Sequence, residues 1–94
     1  MENLNSVLKE NKKVLIDFYA DWCGPCRMLS PIIEEVKKEV TDVLVMKINV
    51  DEFPELAAKY GVRSIPTLVY IKDGEVNNQM IGVKPKKDII NMLQ

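Results

Sequence analysis

The sequence predicts an α/β domain with a central mixed sheet, and three observations predict it. "VLIDFYA", Val14 to Ala20, is apolar on both parities apart from Asp17, the pattern of a central strand covered on both faces. A helical period and then a second β-type run follow it, and a strand, helix, strand succession of this length implies a right-handed parallel crossover. Farther on, "TLVYIKDGEVNNQMI" sets an Asp-Gly pair between two β-type runs, the signature of a hairpin.

The elements follow in chain order. Leu4, Val7 and Leu8 share one helical face with Asn3 and Asn5 as caps, so the chain opens on a short helix, with no strand before it. After the Val14–Ala20 strand, Leu29, Ile32, Ile33, Val36 and Val40 line one side of a helix, with Ser30, Glu34, Lys37 and Lys38 opposite. Pro31 interrupts that helix and predicts a kink. "VLVMKINV", Val43 to Val50, is the second strand. In "PELAAKYG" Pro54 suits a first helical position and Gly61 a stop, giving a short helix. The hairpin pairs Thr67–Lys72 with Glu75–Ile81 across Asp73-Gly74, and Ile89, Ile90 and Leu93 pattern a closing helix begun near Pro85. Neither repeats nor linkers divide the chain, so residues 1–94 read as one domain.

Composition narrows the function. Thirteen Lys and Arg against 14 Asp and Glu leave a net charge of −1 over 94 residues, without the basic stripe that a nucleic acid or an anionic membrane requires. Lysine groups such as Lys12 and Lys13 or Lys84, Lys86 and Lys87 read as solvated faces. "MENLNSVLKENKK" shows no apolar stretch with a cleavage site, and no run approaches the roughly 20 residues of a membrane span. A cytoplasmic, reducing location is the default, where a lone cysteine pair points to catalysis or metal rather than to a staple.

That pair lies in "ADWCGPCR", which holds both cysteines, Cys23 and Cys26, and the one tryptophan, Trp22. Structural zinc takes four ligands, usually Cys or His; this chain has two Cys and no His, so metal would need carboxylates or a second chain. A disulfide that forms and breaks suits the spacing better, because residues i and i+3 on a helix bring their Cβ atoms close to the separation a disulfide requires, and so short a loop gains little as a permanent bridge. Cys23, where strand gives way to helix, can face free amide groups and the positive end of the helix dipole, which lowers its pKa. Cys26, a turn further in, is expected to be more shielded and to act as resolving thiol. It needs a base, and Asp17, desolvated on an otherwise apolar strand, is the candidate; the alternatives are that Asp17 reaches water or pairs with Lys47. Gly24 leaves backbone open to a partner chain, Pro25 stiffens the loop between the thiols, and Trp22 is either a core anchor or an exposed rim.

"VLIDFYADWCGPCRMLSP" together with "KINVDEFPELAAKYGVRSIPTLVYIKDG" resembles the thioredoxin family along nearly the whole chain, with WCGPC, Pro31, Ile65-Pro66-Thr67 and Gly82 where that family's pattern has them. The resemblance implies a thioredoxin fold with helices on both faces of the sheet, and a monomeric protein disulfide reductase. In that reading Cys23 attacks a substrate disulfide, Cys26 releases the product and a thioredoxin reductase restores the dithiol, with no cofactor. It also implies that Asp17 deprotonates Cys26 with Lys47 nearby, that Pro66 is cis, and that Trp22, Ile65, Pro66, Gly82 and Val83 form an apolar docking surface. The family usually begins with an additional edge strand, so four strands are expected here and Val43–Val50 becomes an edge. Tyr19 and Arg27 replace a common tryptophan and lysine, and Asn77 and Asn78 predict an irregular last strand. An isomerase or oxidase role, a binding module with incidental redox chemistry, and a metal shared between two chains are the competing readings.

Overall fold

The structure, a computed structural model, describes residues 3–94. Its elements run α1 (Leu4–Glu10), β1 (Lys13–Tyr19), α2 (Gly24–Glu39), β2 (Leu44–Asn49), α3 (Pro54–Lys59), β3 (Thr67–Lys72), β4 (Glu75–Ile81) and α4 (Lys86–Met92). The strands form one sheet in the order β2-β1-β3-β4. β1 is parallel to β2 and antiparallel to β3, and β3 is antiparallel to β4. Among the described residues there are four strands, as expected, and β2 is an edge bonded to β1 alone.

Local signals explain where each element starts and stops. The Asn3 side chain caps α1 by accepting the Asn5 amide at 2.9 Å. Pro54 opens α3, and Gly61 follows it at φ 67°, a conformation that a side chain would disfavour. At the hairpin Asp73 and Gly74 both take positive φ, as a type I′ turn demands. The last strand is irregular where its asparagines lie: Tyr70 pairs with Asn78 but Ile71 with Val76, leaving Asn77 as the extra residue of a bulge. α2 continues through Pro31 to Glu39; a proline there removes one intrahelical donor without ending the helix.

Alternation along β1 divides the interior between two layers. Val14, Ile16 and Phe18 pack with Leu4, Ile48, Ala57, Val69 and Ile71 on the side of α1 and α3. Leu15 packs with Leu29, Ile33 and Val36 of α2, Leu68 and Tyr70 of β3, and Ile89 and Met92 of α4. Both faces of β1 are therefore covered, which is why its sequence is apolar on both parities.

Candidate functional site

Asp17 and Tyr19 continue the parity of Leu15 and so lie on the α2 side of β1. Asp17 is 1 % exposed, and its Oδ1 has no hydrogen-bond partner. A buried carboxylate in that state is costly, and burial accordingly pushes the Asp17 carboxyl up to about 6, against a pull downward from Lys47. Lys47 is the residue opposite Asp17 in the parallel β1–β2 register. Its ammonium, however, makes no ion pair with Asp17 among the described residues; it lies 4.7 Å from the centre of the Tyr19 ring and 3.5 Å from Ser30 Oγ.

β1 ends at Tyr19, and the chain turns so that the Cys23 amide donates to the Ala20 carbonyl at 3.2 Å. Cys23 is the N-cap of α2, with extended backbone angles, and its Sγ accepts the Cys26 amide at 3.2 Å. The cysteine sulfur thus occupies the place that a serine or aspartate oxygen takes at an ordinary helix start. Pro25 sits in the first turn, where its missing N–H has no intrahelical acceptor to lose. Cys23 and Cys26 are joined as a disulfide, their Cα atoms 5.3 Å apart.

Two expectations change here. The cysteine spacing spans a cap and the first turn rather than two helical positions, because Cys23 precedes the helix. Cys26 is also no more shielded than Cys23: they are 5 % and 4 % exposed. Both pack in one small cluster with Ala20, flanked by Tyr19, Val50 and Ile65. The Ile65 carbonyl oxygen lies 3.8 Å from Cys23 Sγ and, in the dithiol form, can accept from its thiol.

The segment that carries Ile65 is bonded in place. The Ile65-Pro66 peptide is cis, as the resemblance implied. Thr67 Oγ1 donates to the Ser64 carbonyl at 2.6 Å and the Gly82 amide donates to the Pro66 carbonyl at 2.8 Å. Ile65 and Gly82 are half-buried and Val83 is exposed, whereas the Pro66 side chain is buried, so Pro66 contributes support more than surface. Ile81, exposed next to Gly82, adds apolar area that the sequence did not single out.

Trp22 is 68 % exposed, which settles it as rim and not core. Its indole Nε1 donates to Asp51 Oδ2 at 2.8 Å, while the Asp51 amide donates to Asn49 Oδ1 at 2.9 Å. Asp51 escaped sequence reasoning because it lies 29 positions from Trp22; the one available sign was a carboxylate just beyond a strand end. Arg27 Nη1 donates to the Asp21 carbonyl at 2.7 Å, tying the loop before the cysteines to the helix after them. A methyl group placed on Gly24 would meet nothing within 4 Å, so packing inside this chain does not demand glycine there. A partner's close approach remains a reason for it.

The arrangement can hold a thiolate on Cys23 against a helix N-terminus, pass electrons by forming the 23–26 disulfide, and store a proton on Asp17 near neutral pH. Known proteins resemble this chain along its length. The thioredoxin family model matches residues 1–94. A thioredoxin of Chlamydia caviae is 47 % identical over 92 residues, covering 98 % of this chain and 89 % of that protein. One from Rickettsia typhi is 48 % identical over 90 residues, covering 95 % and 86 %. The crystal structure of mitochondrial thioredoxin 3 from Saccharomyces cerevisiae, in its oxidized form, superposes with a TM-score of 0.90 at 36 % identity, covering 96 % of this chain and 84 % of that one.

Proposed function

Because this chain belongs to the thioredoxin family and is a thiol–disulfide oxidoreductase, we propose that it runs as a protein disulfide reductase in which Cys23 attacks and Cys26 resolves. The observation that carries this assignment is the capping geometry: Cys23 Sγ accepts a main-chain amide at the start of α2, and a hydrogen bond to a charged acceptor stabilises by about 1.5–3 kcal/mol. The Cys23 thiolate is therefore the better nucleophile at neutral pH.

The electron and proton balance is simple. The Cys23 thiolate forms a bond to one sulfur of the substrate and expels the other as a thiolate. Cys26, losing its proton to Asp17, then attacks Cys23 Sγ, closes the 23–26 disulfide and releases the second substrate thiolate. Two electrons have passed to the substrate, whose two thiolates take up the proton from Asp17 and one from water. A thioredoxin reductase returns two electrons to the pair, with one proton restored to Cys26 and Cys23 left as the thiolate. Trp22, Ile65, Pro66, Gly82 and Val83 form or support the docking surface, with Ile65 offering main-chain groups to an extended substrate segment. Lys47 is assigned to the proton transfer through its pull on Asp17.

We also infer a cytoplasmic monomer working as one domain over residues 1–94; the family model that matches this whole span and the single sheet in which all four described strands pair support the one-domain reading. The test is reduction of a disulfide-linked protein with a chemical dithiol as electron source. Cys26→Ser is expected to accumulate a mixed disulfide on Cys23, detected by mass. Absence of a mixed disulfide on Cys23 in that variant, or turnover unchanged in Cys23→Ser, overturns the assignment.

A further inference from the structure

A pocket of about 180 Å³ opens beside Cys26, lined by Tyr19, Ala20, Asp21, Arg27, Ser30 and Lys47. Lys47 holds an odd position in it. The ammonium stands over the face of the Tyr19 ring and within reach of Ser30 Oγ, while the carboxylate of the opposite register position, Asp17, is left without a partner on Oδ1. Lys47 itself is exposed and has a long, flexible stem, so nothing in β2 confines its head group. The two contacts from β1 and α2 do.

We propose that Tyr19 and Ser30 are positioning residues that pin the Lys47 ammonium at the mouth of this pocket and thereby set how strongly it acts on the Asp17 carboxylate. An ammonium held over an aromatic face at under 6 Å is attracted by the ring quadrupole, and the Ser30 hydroxyl accepts from it at 3.5 Å. Freed from both, the side chain spreads over many rotamers in water and its mean field at Asp17 falls. The other ionisable groups around the pocket are Arg27 and Cys26 from α2 and Asp21 from the loop after β1; β3 places the apolar Leu68 opposite Asp17. Of all these, Lys47 alone exerts a resolved pull on the carboxyl.

This inference rests on the reading of Asp17 as proton acceptor, but its test does not. The Asp17 carboxyl is titrated directly by carbon NMR in the oxidised protein. In the double variant Tyr19→Leu with Ser30→Ala the midpoint is expected to rise by about half a unit, approaching the midpoint of Lys47→Met. Tyr19→Phe, which keeps the ring, is expected to leave it unchanged. Added to Lys47→Met, the double substitution is expected to do nothing further, since the group it acts through has gone. An unchanged midpoint in the double variant, or an equal shift with and without Lys47, overturns the proposal. Should Tyr19→Leu compromise folding, Ser30→Ala alone, in the presence and absence of Lys47, carries the same comparison. Loss of activity in Asp17→Asn is a separate measurement, so the clamp and the base can fail independently.

Discussion

Leu15 and Asp17 stand two residues apart on one strand and face the same helix layer, yet they belong to opposite kinds of interior. Around Leu15 the layer is filled by Leu29, Ile33, Val36, Leu68 and Ile89, every one buried and apolar. At Asp17 it holds a carboxylate with an unpartnered oxygen, and beyond Asp17 the half-buried Tyr19 packs against the cluster of the two cysteines. Burial of apolar area stabilises the first region by about 25 cal/mol per Å², while burial works against the second by disfavouring the charge on Asp17. The chemistry thus sits at the end of the layer where burial raises the cost of the native state, and the apolar end of the same layer supplies the stability that tolerates it.

The largest expected effect separates the two ends outright. Cys23→Ser is expected to cut disulfide-reducing turnover at least about a hundredfold while leaving the urea midpoint close to that of the reduced wild-type protein, because serine is nearly isosteric and also caps helices well. Leu29→Ala should do the reverse. It empties a fully buried position in the apolar region and is expected to cost about 2–5 kcal/mol, measured by urea unfolding, with turnover per folded molecule unchanged within about twofold. A collapse of turnover in Leu29→Ala that is still folded would show that the two ends are not separable.

pH sharpens the comparison. The Asp17 carboxyl titrates near 6 when folded against an ordinary value of 3.8, so between these values the folded chain binds more protons than the unfolded one. Stability then falls as pH rises from about 4 to about 6, and the loss persists above 6. Two pH units correspond to about 3 kcal/mol. Subtracting the profile of Asp17→Asn, which cannot ionise, should isolate that slope in oxidised protein unfolded by urea. A difference that is flat across pH 4–6, or rises with pH, contradicts a desolvated carboxylate.

Much of the apolar end was legible in sequence because its signals are local. Period, Pro54, Gly61 and Asp73-Gly74 each act within a few residues of where they stand, and the elements begin and end within a residue or two of those signals. The cysteine end was legible in its reactive pair and in Asp17, whose charge interrupts an apolar run. Its supports were not legible. Asp51 meets Trp22, Ser30 meets Lys47 and Ile65 meets Cys23 only after β1, β2 and β3 have been set side by side, and the separations of 29, 17 and 42 residues leave no periodic trace. The cluster that holds both cysteines gains Ile65 in the same way. Its family resemblance implied the Ile65 contact; composition and spacing alone left it an ordinary Ile-Pro step.

The smallest effect is expected at the end of the sheet away from the sulfurs. β3 begins beside Pro66 at the cysteine end and finishes at Lys72, opposite Lys13, so the Asp73-Gly74 turn lies beyond the apolar end. Gly74 has φ 83°, and a methyl group added there would meet no atom within 4 Å. Gly74→Ala therefore loses through backbone strain alone, about 1 kcal/mol, or roughly 4–8 °C in melting temperature for a domain of this size. Turnover and the Asp17 titration are expected to stay at wild-type values, because the strain is confined to a turn whose one further main-chain hydrogen bond among the described residues is the Asp73 amide donating to the Lys12 carbonyl. If the turn variant instead shifts the Asp17 midpoint, strain is passing along β3 to Leu68, the residue opposite Asp17, and the apolar region is transmitting to the site as well as supporting it.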